Sequence, residues 1–361
     1  MLDKAYAVVL AGGRGERFWP LSTGRSPKQF LTLFGGRPLV AAAVERVSCL
    51  IPPERVIIIT SEALIDQTVA AVPGLPRENV IGEPFGRDTA AACALGTAIV
   101  EARCPGGALC VLTADHVIGE AERFLNTLRE SLAAALSSEV LITMGIRPAS
   151  ASTGFGYIEA GEEVECREGV RFRRAERFVE KPDRATAEKY VAAGTYFWNS
   201  GMFVWSTSTF IDALARHRPQ LRDMLEAVGP SVDGENFAGS LRTEYEKLDR
   251  ISVDYAIMEK ADNIIMAEGT FAWDDLGSWS SLGNYFDRGD SGNLVLGTCE
   301  AVDSDDNVVV SEGRLTALVG VHDLVVVQAA GATLVCARER AEEVKKMVRL
   351  LAEKGSYEEL L

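Results

Sequence analysis

The stretch LAGGRGERFWP, residues 10–20, decides how the N-terminal part of the chain is interpreted. It follows an apolar run, residues 5–10, that has the composition of a buried strand. Three glycines and two arginines then occupy residues 12–17. Glycines let a backbone approach a ligand closely, and arginines offer paired donors to phosphate oxygens. The loop therefore indicates a phosphate ligand, and a solvated surface loop is the alternative.

Two common phosphate-binding loops do not fit this stretch. A dinucleotide-binding fingerprint needs a third glycine three residues after the second, and Phe18 stands at that position. A Walker loop needs Gly-Lys followed by Ser or Thr, which this stretch does not have. What remains is a strand, a glycine loop and a cluster of cations formed by Arg14, Arg17 and Lys28. This cluster predicts a triphosphate clamp, and the broken fingerprint argues against an oxidoreductase.

Composition excludes several classes of protein. The chain has 361 residues, of which 47% are apolar, and this suffices for a large core. Its formal net charge of -15 argues against a nucleic-acid-binding surface, which needs a broad basic face. Seven cysteines without CxxC spacing and only three histidines argue against a disulfide framework and a zinc site. The sequence has no recognisable signal peptide or membrane-spanning run, so we expect a cytoplasmic protein without membrane contact.

The first half of the chain alternates between short apolar runs and helical stretches. This alternation favours a mostly parallel sheet covered by helices. The predicted strands are residues 5–10, 56–60, 108–113 and 139–145, and the predicted helices are 38–48, 64–72, 89–103 and 120–136. Ligands of such sheets bind at the carboxyl ends of the strands. Asp115, which follows the third strand, is therefore predicted at the ligand edge, with a helix cap as the alternative.

The second half of the chain has a different pattern of predicted secondary structure. Residues 154–205 predict longer strands with turns, and SVDYAIMEKAD, residues 252–262, predicts a helix capped by Ser252. Beyond residue 285, short apolar runs are separated by turn signals, which predicts a small β unit. Residues 338–361 predict a charged amphipathic helix.

A series of segments resembles the mannose-1-phosphate guanylyltransferases, which are sugar-1-phosphate nucleotidylyltransferases. LAGGRGERFWPLS and SPKQFL carry the first part of the resemblance. Seven further segments follow in the family's order: EPFGRDTAA (83–91), LTADHVI (112–118), TGFGYIE (153–159), FVEKPD (178–183), WNSGMFVW (198–205), SVDYAIMEK (252–260) and WDDLGSW (273–279). Each segment alone is weak evidence, but their order and spacing extend the resemblance over nearly the whole chain.

The resemblance implies an α/β fold. We expect a Rossmann-like, GT-A-like mixed sheet flanked by helices in a nucleotidyltransferase catalytic domain of residues 1–285. A small C-terminal β domain that ends in a helix is expected over residues 286–361, and a left-handed β-helix is one form it could take.

The resemblance also implies a reaction and its residues. The reaction is the Mg²⁺-dependent transfer of GMP from GTP to α-D-mannose 1-phosphate, which gives GDP-mannose and pyrophosphate. Arg17 and Lys28 would be the catalytic cations, and Asp115 and Asp275 would bind the metal. The expected nucleotide-binding residues are Leu10, Ala11, Gly12, Gly13, Arg14, Gly15, Arg87, Asp88 and Thr89. The expected sugar-phosphate-binding residues are Gly156, Glu180, Lys181, Asn199 and Asp254.

Some alternatives stay open at this point. The residues alone do not separate guanine from adenine or mannose from glucose. A nucleotidylyltransferase for another sugar 1-phosphate or nucleoside triphosphate is therefore the main alternative, and a non-catalytic nucleotide-sugar sensor is a second. The resemblance also leaves a homodimer open. Asp274, the neighbour of Asp275, is expected to face outward.

Overall fold

The computed structural model describes residues 2–361 and divides into two compact units. The first unit comprises the chain up to Gly12 together with Val40–Trp273, and the second comprises Gly13–Leu39 and Asp274–Leu361. The glycine loop that begins at Gly13 therefore belongs to the same unit as the C-terminal segment. The division into domains of residues 1–285 and 286–361 stays a prediction.

Eleven strands precede residue 275 in the described part of the chain, and nine of them form one mixed sheet. The strands are β1 (Ala5–Ala11), β2 (Val56–Ser61), β3 (Val80–Glu83), β4 (Ala108–Thr113), β5 (Val117–Ile118), β6 (Leu141–Ile146), β7 (Tyr157–Arg167), β8 (Val170–Val179), β9 (Tyr196–Ser206), β10 (Ile264–Gly269) and β11 (Trp273–Asp274). The order of strands in the sheet is β3-β2-β1-β4-β9-β6-β10-β8-β7.

One half of this sheet is parallel. β1 pairs in parallel with β2 and β4, and β2 pairs in parallel with β3. All residues of β1 except Leu10 are buried, as expected for a parallel strand that is covered on both faces. β9 then runs antiparallel to both β4 and β6, which makes the sheet mixed. The carboxyl ends of β1 to β4 meet at one edge, so Gly12, Glu83 and Asp115 lie along that edge.

Eight helices accompany the sheet in the sequence. They are α1 (Leu39–Ser48), α2 (Ile65–Ala71), α3 (Thr89–Arg103), α4 (Ala121–Ser137), α5 (Arg184–Ala193), α6 (Thr207–His217), α7 (Pro219–Val228) and α8 (Phe237–Glu246). The α/β alternation predicted for the first half is confirmed, with element ends within three residues of the predicted ones. α5 to α8 are additions that the sequence patterns did not predict.

α3 occupies the core of the first unit. Its residues from Ala90 to Val100 are all buried, so this helix is apolar on every face rather than amphipathic. A Cβ atom on Gly96 would lie 2.8 Å from Cγ1 of Val8 in β1. The helix therefore approaches the sheet more closely than any side chain at residue 96 would allow. α6, α7 and α8 contribute the other buried helical residues of this core.

The second unit contains a four-stranded sheet. Its strands and helix are β12 (Leu294–Val302), β13 (Val308–Val319), β14 (Leu324–Gln328), β15 (Thr333–Ala337) and α9 (Val344–Lys354). β12, β13 and β14 pair in parallel without helices between them, which is typical of a β-helix coil, and β15 closes the sheet antiparallel to β14. Asn307 is completely buried, and its side-chain amide donates to Asn293 Oδ1 and to the Val321 carbonyl. These bonds connect the residue before β12 with the turn between β13 and β14. The predicted small β domain is confirmed as a β-helix-like fold.

Two predicted helices differ from the structure. Residues 252–262 form only one π-helical turn, Asp254–Met258, rather than a full helix. The C-terminal helix is shorter than predicted, because a 3₁₀ segment covers Arg338–Glu343 and α9 ends before Gly355. Gly355 has a φ of 67°, the left-handed conformation with which a helix commonly ends. Within residues 2–361, none of the helices combines the length and the apolar character that crossing a bilayer requires.

Candidate active site

The glycine loop closes tightly over Lys28 in the second unit. Gly15 has a φ of 62°, and a Cβ atom there would lie 2.3 Å from the Cβ of Lys28. Any other residue would therefore suffer both backbone strain and a direct clash. Ser22 Oγ donates to the Arg14 carbonyl at 2.9 Å, which fixes the loop backbone while the Arg14 side chain stays exposed.

Two predicted catalytic cations bond to one short backbone segment. Lys28 is 6% exposed, and its Nζ donates to the carbonyl of Asp275. Arg17 NH1 donates to the carbonyl of Gly277 at 3.3 Å. Lys28 Nζ also lies 5.8 Å from the centre of the Phe18 ring. The structure thus brings Arg17, Lys28 and Asp275 together, although about 250 residues separate them in sequence.

The carboxylate of Asp275 lies against a glycine. A Cβ atom on Gly277 would be 3.2 Å from Asp275 Oδ1. The preceding residue, Asp274, accepts a hydrogen bond from Leu276 N at 2.7 Å and another from Asn284 Nδ2 at 3.0 Å. Asp274 is half-buried and both of its carboxylate oxygens accept hydrogen bonds, and its outward orientation stays a prediction.

The end of β1 is joined to the neighbouring strands. The Leu10 carbonyl accepts from Ala114 N at 3.0 Å, and the Ala11 carbonyl accepts from Thr60 Oγ1 at 3.0 Å. These bonds fix the strand end from which the glycine loop departs. Leu10 and Ala11 thus have their backbone carbonyls committed to the sheet.

Glu83 is a residue that the sequence analysis did not single out. It is the last residue of β3, and its Oε2 would be 3.6 Å from a Cβ atom on Gly12. Tyr245 donates its hydroxyl to Glu83 Oε1 at 3.1 Å. Burial raises the pKa of Glu83 to about 7, and the nearby charge of Asp88 adds to the rise although the Tyr245 hydrogen bond opposes it. A carboxyl that titrates near neutral pH therefore lies beside the first loop glycine.

The segment Arg87, Asp88 and Thr89 is bonded to other parts of the first unit. Arg87 donates from Nε to the Tyr245 carbonyl at 3.0 Å and from NH2 to the next carbonyl at 3.2 Å. Asp88 has a φ of 68° and caps α3 through a 2.8 Å bond from Thr89 N. Thr89 Oγ1 accepts from Val253 N at 2.9 Å, directly before Asp254. This predicted nucleotide segment is therefore held next to a predicted sugar-side residue.

Four of the predicted sugar-phosphate residues form one cluster. Asn199 Nδ2 donates to Asp254 Oδ1 at 2.7 Å, and Asn199 N donates to the Gly156 carbonyl at 2.8 Å. A Cβ atom on Gly156 would lie 2.6 Å from Glu180 Oε2, so any other residue there would require that carboxylate to shift. Lys181, which pairs with Glu180 Oε1 at 2.5 Å, has an exposed side chain.

The cluster changes the acidity of Asp254. Burial raises the pKa of Asp254 to about 6, and the charge of Glu180 contributes to the rise. The hydrogen bond from Asn199 acts in the opposite direction, because it stabilises the ionised carboxylate. The cluster therefore contains a carboxyl group that changes its charge in the range in which most enzymes are assayed.

Asp115 has a neighbouring histidine held by a tryptophan. Trp273 Nε1 donates to His116 Nδ1 at 3.1 Å, so a neutral His116 ring carries its proton on Nε2. That Nε2 lies 4.0 Å from Asp115 Oδ1. Phe155 packs against both Trp273 and Trp198, with ring centres 5.1 and 5.0 Å apart. Aromatic side chains therefore fix the orientation of the histidine next to the predicted metal ligand.

Comparisons with known proteins identify the family to which the chain belongs. A family model described as Nucleotidyl transferase matches residues 6–288, and a second, described as MannoseP isomerase/GMP-like beta-helix domain, matches residues 297–351. The chain is 35% identical over 355 residues to mannose-1-phosphate guanylyltransferase 2 of Escherichia coli O157:H7, covering 96% of this chain and 73% of that protein. The chain belongs to the mannose-1-phosphate guanylyltransferase family.

Two further relatives agree with this membership. A mannose-1-phosphate guanylyltransferase of Escherichia coli strain K12 is 35% identical over 361 residues, which cover 99% of this chain and 75% of that protein. A crystal structure from Thermus thermophilus, described as a mannose-1-phosphate geranyltransferase, is 38% identical with a TM-score of 0.86 and covers 97% of this chain and 99% of that one. The predicted family and the predicted α/β fold are confirmed.

The residues present suit a divalent metal, on which this family generally depends. Within residues 2–361, no group of three or more His, Cys, Asp or Glu side chains could hold a metal ion alone. Magnesium does not require such a group, because it keeps several waters and commonly uses one or two carboxylates with substrate phosphates. Thr113 Oγ1, at the end of β4, is buried without a hydrogen-bond partner, and the half-buried Asp115 follows two residues later. These oxygen donors are the type that a hard cation prefers.

Proposed function

We propose that this chain transfers GMP from GTP to α-D-mannose 1-phosphate and releases pyrophosphate and GDP-mannose. The observation that carries the proposal is the anchoring of Arg17 and Lys28 on the backbone of residues 275–277, beneath a glycine loop, in a member of this family. The relatives' shared name supplies the base and the sugar.

The chemistry requires position and positive charge rather than a strong base. A phosphate oxygen of mannose 1-phosphate forms a bond to the α-phosphorus of GTP, and the bond from that phosphorus to the β-phosphate bridging oxygen breaks. A phosphomonoester loses its second proton near pH 6, so the nucleophile is already a dianion at neutral pH. Positioned cations stabilise the charge that develops on the α-phosphate and on the departing pyrophosphate.

Individual roles on the nucleotide side follow from these requirements. Arg17 and Lys28 neutralise charge on the transferring and leaving phosphates. Their bonds to backbone carbonyls support this role, since a cation held by the backbone needs little reorganisation during the reaction. The remaining nucleotide-binding residues are Leu10, Ala11, Gly12, Gly13, Arg14, Gly15, Arg87, Asp88 and Thr89.

The sugar side is assigned to the hydrogen-bonded cluster. Glu180, Asn199 and Asp254 offer donors and acceptors to the mannose hydroxyls, and Gly156 lets the backbone approach the sugar. Lys181 binds the sugar phosphate, and its exposure supports this role because the ammonium group remains accessible to a ligand. A paired carboxylate on Glu180 keeps the lysine oriented.

Asp115 and Asp275 are proposed to bind Mg²⁺, which neutralises phosphate charge when it is bound. Two carboxylates that act through one ion lose most of their effect when either is neutralised. We therefore expect Asp115→Asn and Asp275→Asn each to lower turnover by about 10³-fold or more, with the double variant little worse than the poorer single variant. The measurement is turnover against magnesium concentration, with Mn²⁺ binding followed by electron paramagnetic resonance. Near-normal turnover of Asp275→Asn at low magnesium would contradict the assignment.

The substrate assignment has a direct test. Pyrophosphate release is measured for the four common nucleoside triphosphates, each combined with mannose, glucose and galactose 1-phosphate. We expect the highest kcat/KM for GTP with mannose 1-phosphate. A higher value for another pair would replace the proposed substrates within the same chemistry. Binding of GDP-mannose without turnover of any pair would instead indicate a nucleotide-sugar sensor.

We also make three proposals about domain organisation, cellular location and assembly. We propose a catalytic domain of residues 1–285 with a separate small domain of 286–361, a cytoplasmic location, and a homodimer as the assembly. Sedimentation equilibrium of the purified chain at micromolar concentration tests the assembly, and a monomer mass would contradict it.

A further inference from the structure

The segment of residues 275–277 fixes several groups at once. It carries the Asp275 carboxylate, and its carbonyls accept from Lys28 and from Arg17. A small rotation of this segment would therefore move both cations and the carboxylate together. The conformation of this backbone therefore contributes to the positions of all three side chains.

The backbone of this segment is strained at Leu276. Its φ is 48°, in the left-handed region that residues with a Cβ rarely adopt, and its side chain is 1% exposed. Such a conformation persists only where the surrounding structure holds it. Buried packing holds the side chain of Leu276, and a hydrogen bond to its backbone N–H must hold the peptide.

That hydrogen bond comes from Asp274, whose carboxylate joins three donors. Oδ1 accepts from Leu276 N at 2.7 Å, and Oδ2 accepts from Asn284 Nδ2 at 3.0 Å. Tyr285 also hydrogen-bonds to Asp274, and the carboxylate charge adds to the burial that raises the pKa of Tyr285 well above its usual range. Both carboxylate oxygens of Asp274 are therefore engaged with protein donors.

We propose that Asp274 is a positioning residue for nucleotidyl transfer: through Leu276 N, Asn284 and Tyr285 it holds the segment on which Arg17, Lys28 and Asp275 are oriented. This inference rests on the proposed function, because it assigns a role in that reaction to a residue that touches no substrate. A metal-binding role for Asp274 is less consistent with the structure, because its oxygens already accept from neutral donors.

An exchange of side chains tests the proposal. In Asp274→Asn the amide oxygen can still accept from Leu276 N, but the charge is lost and the new amide nitrogen finds an acceptor only after the Asn284 amide turns over. We expect kcat to fall about 10- to 100-fold, as for a small misplacement of reacting groups, with both substrate KM values within about threefold of wild type. Asn284→Asp opposes two carboxylates and should also lower kcat. The double variant restores one donor facing one acceptor and should recover kcat to within about threefold of wild type.

Mn²⁺ binding provides a second measurement that does not depend on turnover. Electron paramagnetic resonance titrations should show weaker binding in Asp274→Asn and recovery in the double variant. Failure of the double variant to recover either kcat or Mn²⁺ affinity would overturn the proposal, as would wild-type kcat in Asp274→Asn. Loss of Mn²⁺ binding in both variants that carry Asp274→Asn would assign Asp274 to the metal itself.

A separate measurement tests whether the variants are folded. Thermal unfolding identifies a temperature at which all variants are folded, and kcat is compared there. If Asp274→Asn does not fold, Asn284→Ala removes one donor and leaves the charge, and a several-fold lower kcat with unchanged KM is expected; wild-type kcat would contradict the proposal. Each kcat is measured with whichever substrate pair the wild type prefers. A wild type that is inactive with every pair of nucleoside triphosphate and sugar 1-phosphate would refute the proposed function. The Mn²⁺ titrations would still test the exchange of the side chains at residues 274 and 284.

Discussion

The loop around Lys28 and the cluster around Asp254 hold their polar groups by different means. In the loop, cationic side chains donate to backbone carbonyls of residues 275 and 277. In the cluster, side chains bond to one another, and Asn199 joins Asp254 to the Gly156 carbonyl. The loop cations are therefore oriented by backbone carbonyls, and the Asp274 carboxylate bonds to that backbone, whereas the cluster is held by direct contacts between side chains, one of which titrates.

This difference predicts which changes should impair the function of each region. The loop should be sensitive to changes in its glycines and turns, because Gly15 closes directly against Lys28. The cluster contains a carboxyl with a pKa of about 6, so its charge should change with pH.

The largest effect is expected from removing a cation in the loop. Arg17→Ala should lower kcat by about 10²- to 10³-fold, as for the loss of one preorganised donor. Lys181→Ala, on the sugar side, is the matched comparison and should mainly raise the KM for mannose 1-phosphate. Steady-state kinetics in both substrates separate these outcomes. Unchanged kcat in Arg17→Ala would remove that residue from the mechanism.

A backbone substitution should give the next largest effect. Gly15→Ala combines a φ of 62° with a Cβ atom 2.3 Å from Lys28 Cβ, and we expect kcat to fall about 10- to 100-fold because Lys28 must move. Gly35→Ala is the control, since Gly35 has a similar φ of 68° but no atom within 4 Å of the added Cβ. Its kcat should stay within about twofold of wild type. Equal losses in both variants would attribute the effect to backbone strain alone.

The smallest effect concerns the pH dependence of the cluster. The pKa of Asp254 is raised in the folded chain from the usual 3.8 to about 6, so the folded state binds more protons than the unfolded state between these values. Its contribution to stability is therefore lost as pH rises through that window. Asp254→Asn keeps an acceptor for Asn199 and removes the charge.

The corresponding measurement is thermal unfolding at pH 5 and pH 8. The Tm of Asp254→Asn relative to wild type should be higher at pH 8 than at pH 5, by a few degrees. Asp249→Asn, at an exposed carboxyl in the same unit, is the control and should give the same difference at both values. A pH-independent difference in Asp254→Asn would show that the cluster does not bury a titrating charge.

The parallel half of the sheet could be predicted from sequence because its signal is local. Strands such as β1 and β4 are short, continuous apolar runs, and helices such as α3 follow them at regular intervals. α5 and α6 are capped by Asp183 and Ser206, whose side chains accept from backbone N–H groups three residues later. These caps were visible in the sequence, but α5 lies within residues 154–205, for which only strands and turns were predicted, and no element was predicted where α6 lies.

The candidate site was predictable in its residue types and not in its contacts. Glycines, arginines and aspartates in family motifs indicated Arg17, Lys28 and Asp275. Nothing in the sequence indicated that these cations bond to carbonyls about 250 residues away, because such contacts depend on the path of the whole chain. Glu83 had a usable signal, since an acidic residue ending a short apolar strand lies at the same edge as Gly12. The role of Asp274 depended on the positive φ of Leu276, which a sequence does not reveal.

The central claim is that a phosphate oxygen of the sugar forms the new bond to the α-phosphorus of GTP, and an isotope measurement tests it most directly. The chain is incubated with GTP and mannose 1-phosphate whose non-bridging phosphate oxygens carry ¹⁸O, and the products are analysed by mass spectrometry. The account predicts GDP-mannose that retains all of the label and pyrophosphate that contains none. Label in the pyrophosphate, or turnover of GTP without labelled GDP-mannose, would contradict it.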